Sequence, residues 1–588
     1  MQKFKVPGAV ITIITDSSEV FTRGYGYADV ENQIAVDPKS TLFRIASITK
    51  TFTATAAMQL VEQGTLDLHT DIGNYLPDKD FDFLKGEPFT MHHLLTHTAG
   101  FDLTDTGDAA LTPEEVVPLE QLARRQMPDQ VHKPGTVFSY SNFGYALAGY
   151  VIQTISGMSY EDYMIRNVLN PIGMNQTGIR QPLPKALKLN LANSYTWEDG
   201  QVALERDYTN TLPGGGIISN AVDMSRYMKM HLQGGIIDST VILNAENHRI
   251  LTSQKYGSKN TKYGICYAFN ENMWNGRRSI DHSGGQLGFL SLMVLIPKTG
   301  TGIFIAHNNR QDASGFRYNL TATILDTLIG QEEREIQPLT PSKAFDNIAD
   351  NYTGRYLQMN YPHNTFEKVS QLFGFFANEH QVSHDSIGSL TIFGSPFVQI
   401  EDHLFQMDRP QSDYKVEFLV DDNGLAYQLF AGTNSYQRIP WYQHNRLKQI
   451  GMIFSILVML IFVLSRPAIS IIRKIRNRKI QRKRSWLYHW QYWTATLFML
   501  GALSLVALFL IYQDQISDYG VPFSLKTTLG INTIGALSAV ISPMALWSIW
   551  KSNDHSKGRK FLNTLVIISI IITTIILVDM RMIGFQYY

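Results

Sequence analysis

Leu42-Phe43-Arg44-Ile45-Ala46-Ser47-Ile48-Thr49-Lys50-Thr51-Phe52-Thr53-Ala54 is the stretch that decides how this chain is read. A helical pattern runs from about Ser47 to Gln63 and ends at Gly64, just past the helix end, where glycine is favoured. Ser47 and Lys50 stand one turn apart on one face of that helix. A serine hydroxyl is a weak nucleophile until a neighbouring base takes its proton. The start of a helix also favours developing negative charge. Serine–lysine tetrads nevertheless arise by chance in long chains and are mostly polar helix faces, so the surroundings decide.

Upstream, Ala9–Thr15 and Val20–Ala28 alternate about Asp16-Ser17-Ser18, which predicts a hairpin. Residues 65–230 carry helical and loop patterns. Strand patterns return at Gly264–Asn270, Ser279–His282, Gly288–Ile296 and Gly302–Ala306, followed by a helix near Phe316–Ile329. Strands on both sides of helical material predict an α/β fold: one antiparallel sheet flanked by helices, its chain ends adjacent and a helical lobe inserted. Glu335–Pro341 reads as a linker, and Tyr352–Ile439 as a small antiparallel β domain. The expected domains are therefore 1–333, 334–445 and 446–588.

The 588 residues sum to a net charge of +0, so no nucleic-acid partner is expected. The single cysteine, Cys266, excludes an intrachain disulfide and a multi-thiolate zinc site, and its alternating neighbours place it in a half-buried strand. His92, His93 and His97 lack a suitably spaced carboxylate. Glu379-His380 with His384 is a helical-spacing pair in a polar loop. Neither group reads as a metal site.

Other motifs follow in order: Leu94-Leu95-Thr96-His97-Thr98-Ala99-Gly100, Pro134 through Tyr145 with Tyr140-Ser141-Asn142 inside it, Pro171-Ile172-Gly173-Met174, and Gly214-Gly215-Gly216 with Asp223-Met224. Together with Ser47-Ile48-Thr49-Lys50 the set resembles the penicillin-recognising serine hydrolases: class C β-lactamases, DD-peptidases and related esterases. The resemblance spans about 330 residues. It implies a β-lactamase/transpeptidase-like fold and a mechanism without cofactor. Ser47 would be the nucleophile, with Lys50 and Tyr140 sharing the general-base role. Asn142 would direct its amide at the substrate carbonyl or at Lys50; the plainer reading is a helix N-cap. A rival Tyr208-Thr209-Asn210 lacks the matching flanks.

The family's third motif is K-T-G, which occurs literally as Lys298-Thr299-Gly300. Those residues follow Pro297 between two apolar runs and read as a hairpin turn. His282-Ser283-Gly284-Gly285 is the preferred match, resembling the H-S-G variant of esterase-like and peptidase-like relatives. Ser283 would then bind a substrate carboxylate and the glycines would admit substrate backbone. The N–H groups of Ser47 and Gly285 would form the oxyanion hole.

Four apolar stretches, Ile450–Ile469, Tyr492–Tyr512, Leu525–Trp550 and Phe561–Val578, approach the roughly 20 residues of a transmembrane helix. The loop after the first carries Arg466, Arg473, Lys474, Arg476, Arg478, Lys479, Arg482, Lys483 and Arg484 with no acid. The last loop is also basic, whereas the middle one carries Asp514 and Asp518. Basic loops stay in the cytoplasm, which places everything before Ile450 outside. No signal-like apolar run follows Lys3 and Lys5, so an export signal upstream of Met1 is expected.

The function expected is a membrane-anchored serine hydrolase with an extracytoplasmic D-amino-acid peptidase domain. An esterase or β-lactamase-like hydrolase is the near alternative, and a non-catalytic sensor binding peptide or lactam the distant one. The expected partners are a small peptide, lactam or ester substrate and the lipid bilayer.

Overall fold

The computed structural model describes the chain except residues 17, 78–85, 259–262, 310–313, 333–338, 374–378, 410–411, 477–485, 513–517, 552–555 and 586–588. Ser17 of the predicted hairpin and most of the predicted linker Glu335–Pro341 lie outside the described residues. By packing, the chain divides into two compact units. One comprises Met1–Leu103, Asp108–Asn360 and Gln381–Arg438; the other comprises Thr104–Gly107, Tyr361–His380 and Ile439–Tyr588.

In the first unit the alternating runs form β1 (Gly8–Thr15), β2 (Ser18–Asp29) and the short β3 (Ile34–Ala35). The later runs form β4 (Gly264–Ile265), β5 (Asn270–Trp274), β6 (Arg277–Gln286), β7 (Phe289–Ile296) and β8 (Thr301–His307). They make one sheet in the order β4-β5-β6-β7-β8-β1-β2-β3. β1 pairs antiparallel with β8, Ile11 opposite Ile305, so the two ends of the domain close on each other as predicted.

Period-two alternation sends side chains to both faces of this sheet. Ala9, Ile11, Leu292, Val294 and Ile305 pack with Phe316 and Leu325 of the helix Ser314–Leu328. Val10, Ile14, Met293, Leu295 and Phe304 face the helical lobe. Full burial of each such aliphatic side chain stabilises the fold by about 1.5–3 kcal/mol.

Gly264–Asn270 is not one strand: β4 ends at Ile265 and β5 starts at Asn270. Between them Cys266 N–H donates to the Phe269 carbonyl (2.8 Å) and Ala268 adopts φ 66°. A left-handed residue closes a turn that an alternating pattern does not reveal. Cys266 is buried there, its thiol pushed up to about 12 first by burial and then by Glu271.

Helix α1 (Thr49–Glu62) crosses the lobe, buried along most of its length. Its buried threonines satisfy their hydroxyls on carbonyls: Thr51 on Ile48 (2.8 Å) and Thr53 on Pro213 (2.7 Å). Gly64 has φ 72°, as its place after the helix end requires.

Eight strands between Gly354 and Ile439 close into a barrel, which removes exposed sheet edges. Tyr356, Val382, Phe397, Phe405, Phe418 and Leu429 fill its core. Glu379 through His384 lie on one of these strands, Glu379–Ser386, rather than in a loop.

In the second unit, Asn445–Ile472, Trp486–Leu508 and Lys557–Asp579 are long and apolar enough to cross a membrane. The expected span Leu525–Trp550 is broken. Phe523–Ala539 and Ser542–Lys551 meet at 43°, giving up to four spans if the pair counts as one. Pro543 follows the break, and its ring both lacks an N–H and disfavours helical geometry at the residue before it. Gly501 lets Asn532 pack closely, since a Cβ there would sit 2.0 Å from Asn532 Oδ1.

Candidate active site

Ser47 lies in the one-turn helix Ala46–Ile48 that leads into α1. Its predecessor Ala46 has φ 48°, a left-handed conformation that an L-residue adopts only when its surroundings impose it. Three contacts do so. Ile45 N–H donates to the Ile217 carbonyl (3.1 Å), and the Ile45 carbonyl accepts from Ser291 Oγ (2.8 Å) on β7. The third is Gly284 on β6: a Cβ there would lie 2.2 Å from the Ile45 carbonyl oxygen and 3.1 Å from Ala46 Cβ. The elbow and the strand fit only because residue 284 has no side chain.

Lys50 is completely buried. Its Nζ lies 2.8 Å from Asn142 Oδ1, 2.7 Å from the Gly214 carbonyl and 3.1 Å from Ser47 Oγ. The carbonyl and Oδ1 can only accept, so they fix two N–H bonds of the amine. The third tetrahedral position faces Ser47 Oγ. It holds a proton when Lys50 is an ammonium and a lone pair when it is an amine, which is the geometry of proton exchange with the hydroxyl.

Ser141, not Asn142, caps the helix Asn142–Ser156: its Oγ accepts from Gly144 N–H (2.9 Å). That frees the Asn142 amide, which is split between two partners. Oδ1 takes Lys50, and Nδ2 donates to Asp108 Oδ2 (2.7 Å). Nothing in the sequence singled out Asp108, yet it fixes which way the amide faces. Asp108→Ala is expected to lower kcat about tenfold by letting the amide turn. Asp108→Asn, which still offers an acceptor, should recover most of that loss; steady-state kinetics on the three proteins checks it.

Tyr140 has its ring centroid 4.8 Å from Lys50 Nζ. His97 stacks on it at 4.3 Å and accepts Ser141 N–H at Nδ1 (3.0 Å), locking the segment. Burial, then the Lys50 charge, hold the His97 imidazole well below its usual range. It is therefore a neutral support for Tyr140. Upstream, Tyr256 OH accepts Phe138 N–H (3.1 Å) and meets Ser435 of the barrel (3.3 Å), so the barrel braces the approach to Tyr140.

The rival Asn210 is spent on structure, accepting Val117 N–H (2.9 Å) and donating to the Ala109 carbonyl (3.2 Å). His92 and His93 serve Tyr267 and Thr90. Among the described residues no cluster of three or more His, Cys, Asp or Glu side chains is placed to hold a metal.

The two third-motif candidates separate along the sheet. Lys298 and Thr299 sit in the turn between β7 and β8, closed by Gly300 at φ 58°, and Lys298 pairs with Glu332. Gly285 lies opposite Leu290, and Ile296 opposite Thr301. The turn is therefore about 20 Å along the strand from the elbow. His282 instead feels the Lys50 charge, and burial pushes its imidazole down to about 3. Its Nδ1–H donates to the Ser283 carbonyl (2.6 Å), so the ring is neutral with a lone pair on Nε2. Strand alternation puts His282 and Gly284 on the lobe face, and Ser283 and Gly285 on the face of Leu290 and Leu292. β5 pairs with β6 only as far as Asp281, and among the described residues no strand pairs with the edge from His282 to Gln286.

Two results are expected. Lys298→Ala should leave hydrolysis nearly intact, and His282→Ala should cost tenfold or more, roughly one lost hydrogen bond and its desolvated partner. Because His282 stays neutral down to about pH 3, the wild-type pH–rate profile should carry no limb from it near 6.5. Such a limb, abolished by His282→Ala, would contradict this.

Residues 1–327 match the Beta-lactamase family. The chain belongs to that family. It is 29% identical over 343 residues to Protein flp of Staphylococcus aureus (strain N315), covering 55% of this chain and 67% of that one. It is 28% identical over 355 residues to Penicillin-binding protein 4 of Amycolatopsis lactamdurans, covering 56% and 88%. The crystal structure of SurE, 20% identical, covers 74% of this chain and 96% of its own with a TM-score of 0.51, a likeness of fold.

Proposed function

We propose that this Beta-lactamase family member is a membrane-anchored serine hydrolase that works through an acyl-enzyme on Ser47, and that it is a D-amino-acid peptidase acting outside the membrane. The observation that carries the proposal is Lys50 Nζ, with two of its bonds committed to Asn142 and Gly214 and the third position aimed at Ser47 Oγ. Ser47 Oγ attacks the substrate carbonyl as its proton passes to Lys50, directly or by way of Tyr140. The tetrahedral oxyanion is held by the N–H groups of Ser47 and Gly285, next to the contact between Gly284 and the elbow. The proton then goes to the leaving amine. Water, deprotonated by the same groups, releases the acyl part and restores Ser47.

A peptide laid along the unpaired edge of β6 would add a strand there, which suits a D-amino-acid peptide beside the cell wall. Penicillin-binding protein 4 is the relative whose name points the same way. The basic loops of the helical unit support an outward-facing hydrolase. An esterase is the second reading, favoured by one feature: neutral His282 stands where a lysine would supply charge for a substrate carboxylate.

Membranes labelled with a fluorophosphonate and, separately, a fluorescent penicillin test the proposal in wild type and Ser47→Ala. Labelling by both probes, lost in the variant, supports the peptidase. Labelling by the phosphonate alone supports the esterase. No labelling by either supports a non-catalytic sensor.

A further inference from the structure

Beside the elbow lies a pocket that the mechanism does not use. Its wall begins at Gln286, the last residue of β6, whose Nε2 donates to Thr209 Oγ1 (2.7 Å), and at Gly215, next to the carbonyl that holds Lys50. Four cationic side chains line it, Arg44, Arg180, Lys188 and Arg206, against a single acid, Asp207.

Asp207 is committed to Arg44, which it grips through both its carboxylate and its main-chain oxygen. Arg180 is paired outside the pocket with Asp162 (2.5 Å). Among the described residues Arg206 donates only to neutral oxygens, the Leu191 carbonyl (3.3 Å) and Asn193 Oδ1 (3.2 Å). Burial, then the nearby Arg44 charge, lower its affinity for its proton. Lys188 makes no hydrogen bond or ion pair to any described residue. Among the described residues two cations thus line the pocket without an acid of their own, and a bound anion would offset the Arg44 charge that Arg206 feels.

The pocket also has a side. The groups that return a proton to the leaving group, Lys50 and Tyr140, are absent from its lining, whereas Gln286 and Gly215 belong to it. The leaving group must sit within reach of the proton donors, so the acyl part of the substrate is the part that extends toward the pocket.

We propose that this pocket is a specificity subsite for an acidic acyl part, taking a carboxylate on Arg206 and Lys188. The inference rests on Ser47 being the acylated residue, as proposed above.

Two activated esters with the same nitrophenolate leaving group test it on the full-length protein: the glutarate half-ester, with a free carboxylate on its acyl chain, and the neutral valerate ester. Wild type is expected to favour the acidic acyl chain by about tenfold or more in kcat/KM, and added salt should narrow the preference. Arg206→Gln with Lys188→Gln should bring the ratio toward one. Lys188→Gln alone, at an exposed position, should reduce it partway and serves if the double variant does not fold. A wild type without preference, or variants that keep the full preference, would overturn the subsite and leave Ser47 untouched. Failure of Ser47 to react with both esters and with a fluorophosphonate would overturn the hydrolase reading and the subsite with it.

Discussion

Lys50→Met is expected to reduce ester hydrolysis by about three orders of magnitude or more, within the range for loss of a positioned acid–base group. Methionine keeps the length of the side chain but neither donates nor accepts a proton usefully. Ser47 would lose the group 3.1 Å from its Oγ that takes its proton. Stability should fall too. The Gly214 carbonyl and Asn142 Oδ1 are left without their donor in a buried site, at about 1–3 kcal/mol for each unsatisfied group. Kinetics and thermal unfolding of the variant check the two effects separately. Activity within tenfold of wild type would show that the proton leaves Ser47 by another route.

Gly284→Val is the second large effect. Any Cβ at 284 would meet the Ile45 carbonyl oxygen at 2.2 Å and Ser291 Oγ at 2.4 Å. Those two atoms form the bond that holds the left-handed elbow at Ala46. Either β6 moves away or the elbow relaxes, and in both cases Ser47 leaves its place beside Lys50. Overpacking of this kind destabilises by about 1–3 kcal/mol, and a misplaced nucleophile lowers the rate about a hundredfold. Gly285→Ala is the contrast: its Cβ would touch only Leu290 Cδ2, at 3.2 Å, so the fold should accept it. Comparing fluorophosphonate labelling rates and melting temperatures across the variants distinguishes a displaced elbow from a general loss of packing.

The sheet was legible in the chain because β1, β7 and β8, buried on both faces, are short apolar runs bounded by turn residues. The turn at Lys298 was legible because Pro297 and Gly300 carry its backbone geometry. What the sequence concealed was of another kind. The Gly214 carbonyl that anchors Lys50 is a main-chain atom, and a residue string records only that glycine stands there. Asp108 is one of three acids in the stretch Asp102–Asp108, and its value comes from meeting Asn142 across 34 positions. Ser141 and Asn142 are both good caps, and only the helix start decides between them. The turn at Cys266–Phe269 depends on a positive φ at an alanine, which composition does not signal. The bend before Pro543 was marked by the proline itself, inside a stretch, Leu525–Trp550, that reads as one span by its apolar average.

The most direct measurement is the site of covalent modification. The full-length protein is reacted with a fluorophosphonate and digested, and the adduct is located by tandem mass spectrometry. The predicted result is one phosphonylated residue, Ser47, formed at a rate that falls sharply in Lys50→Met. An adduct on any other serine, or an unmodified Ser47 in a folded and exposed protein, would contradict the account.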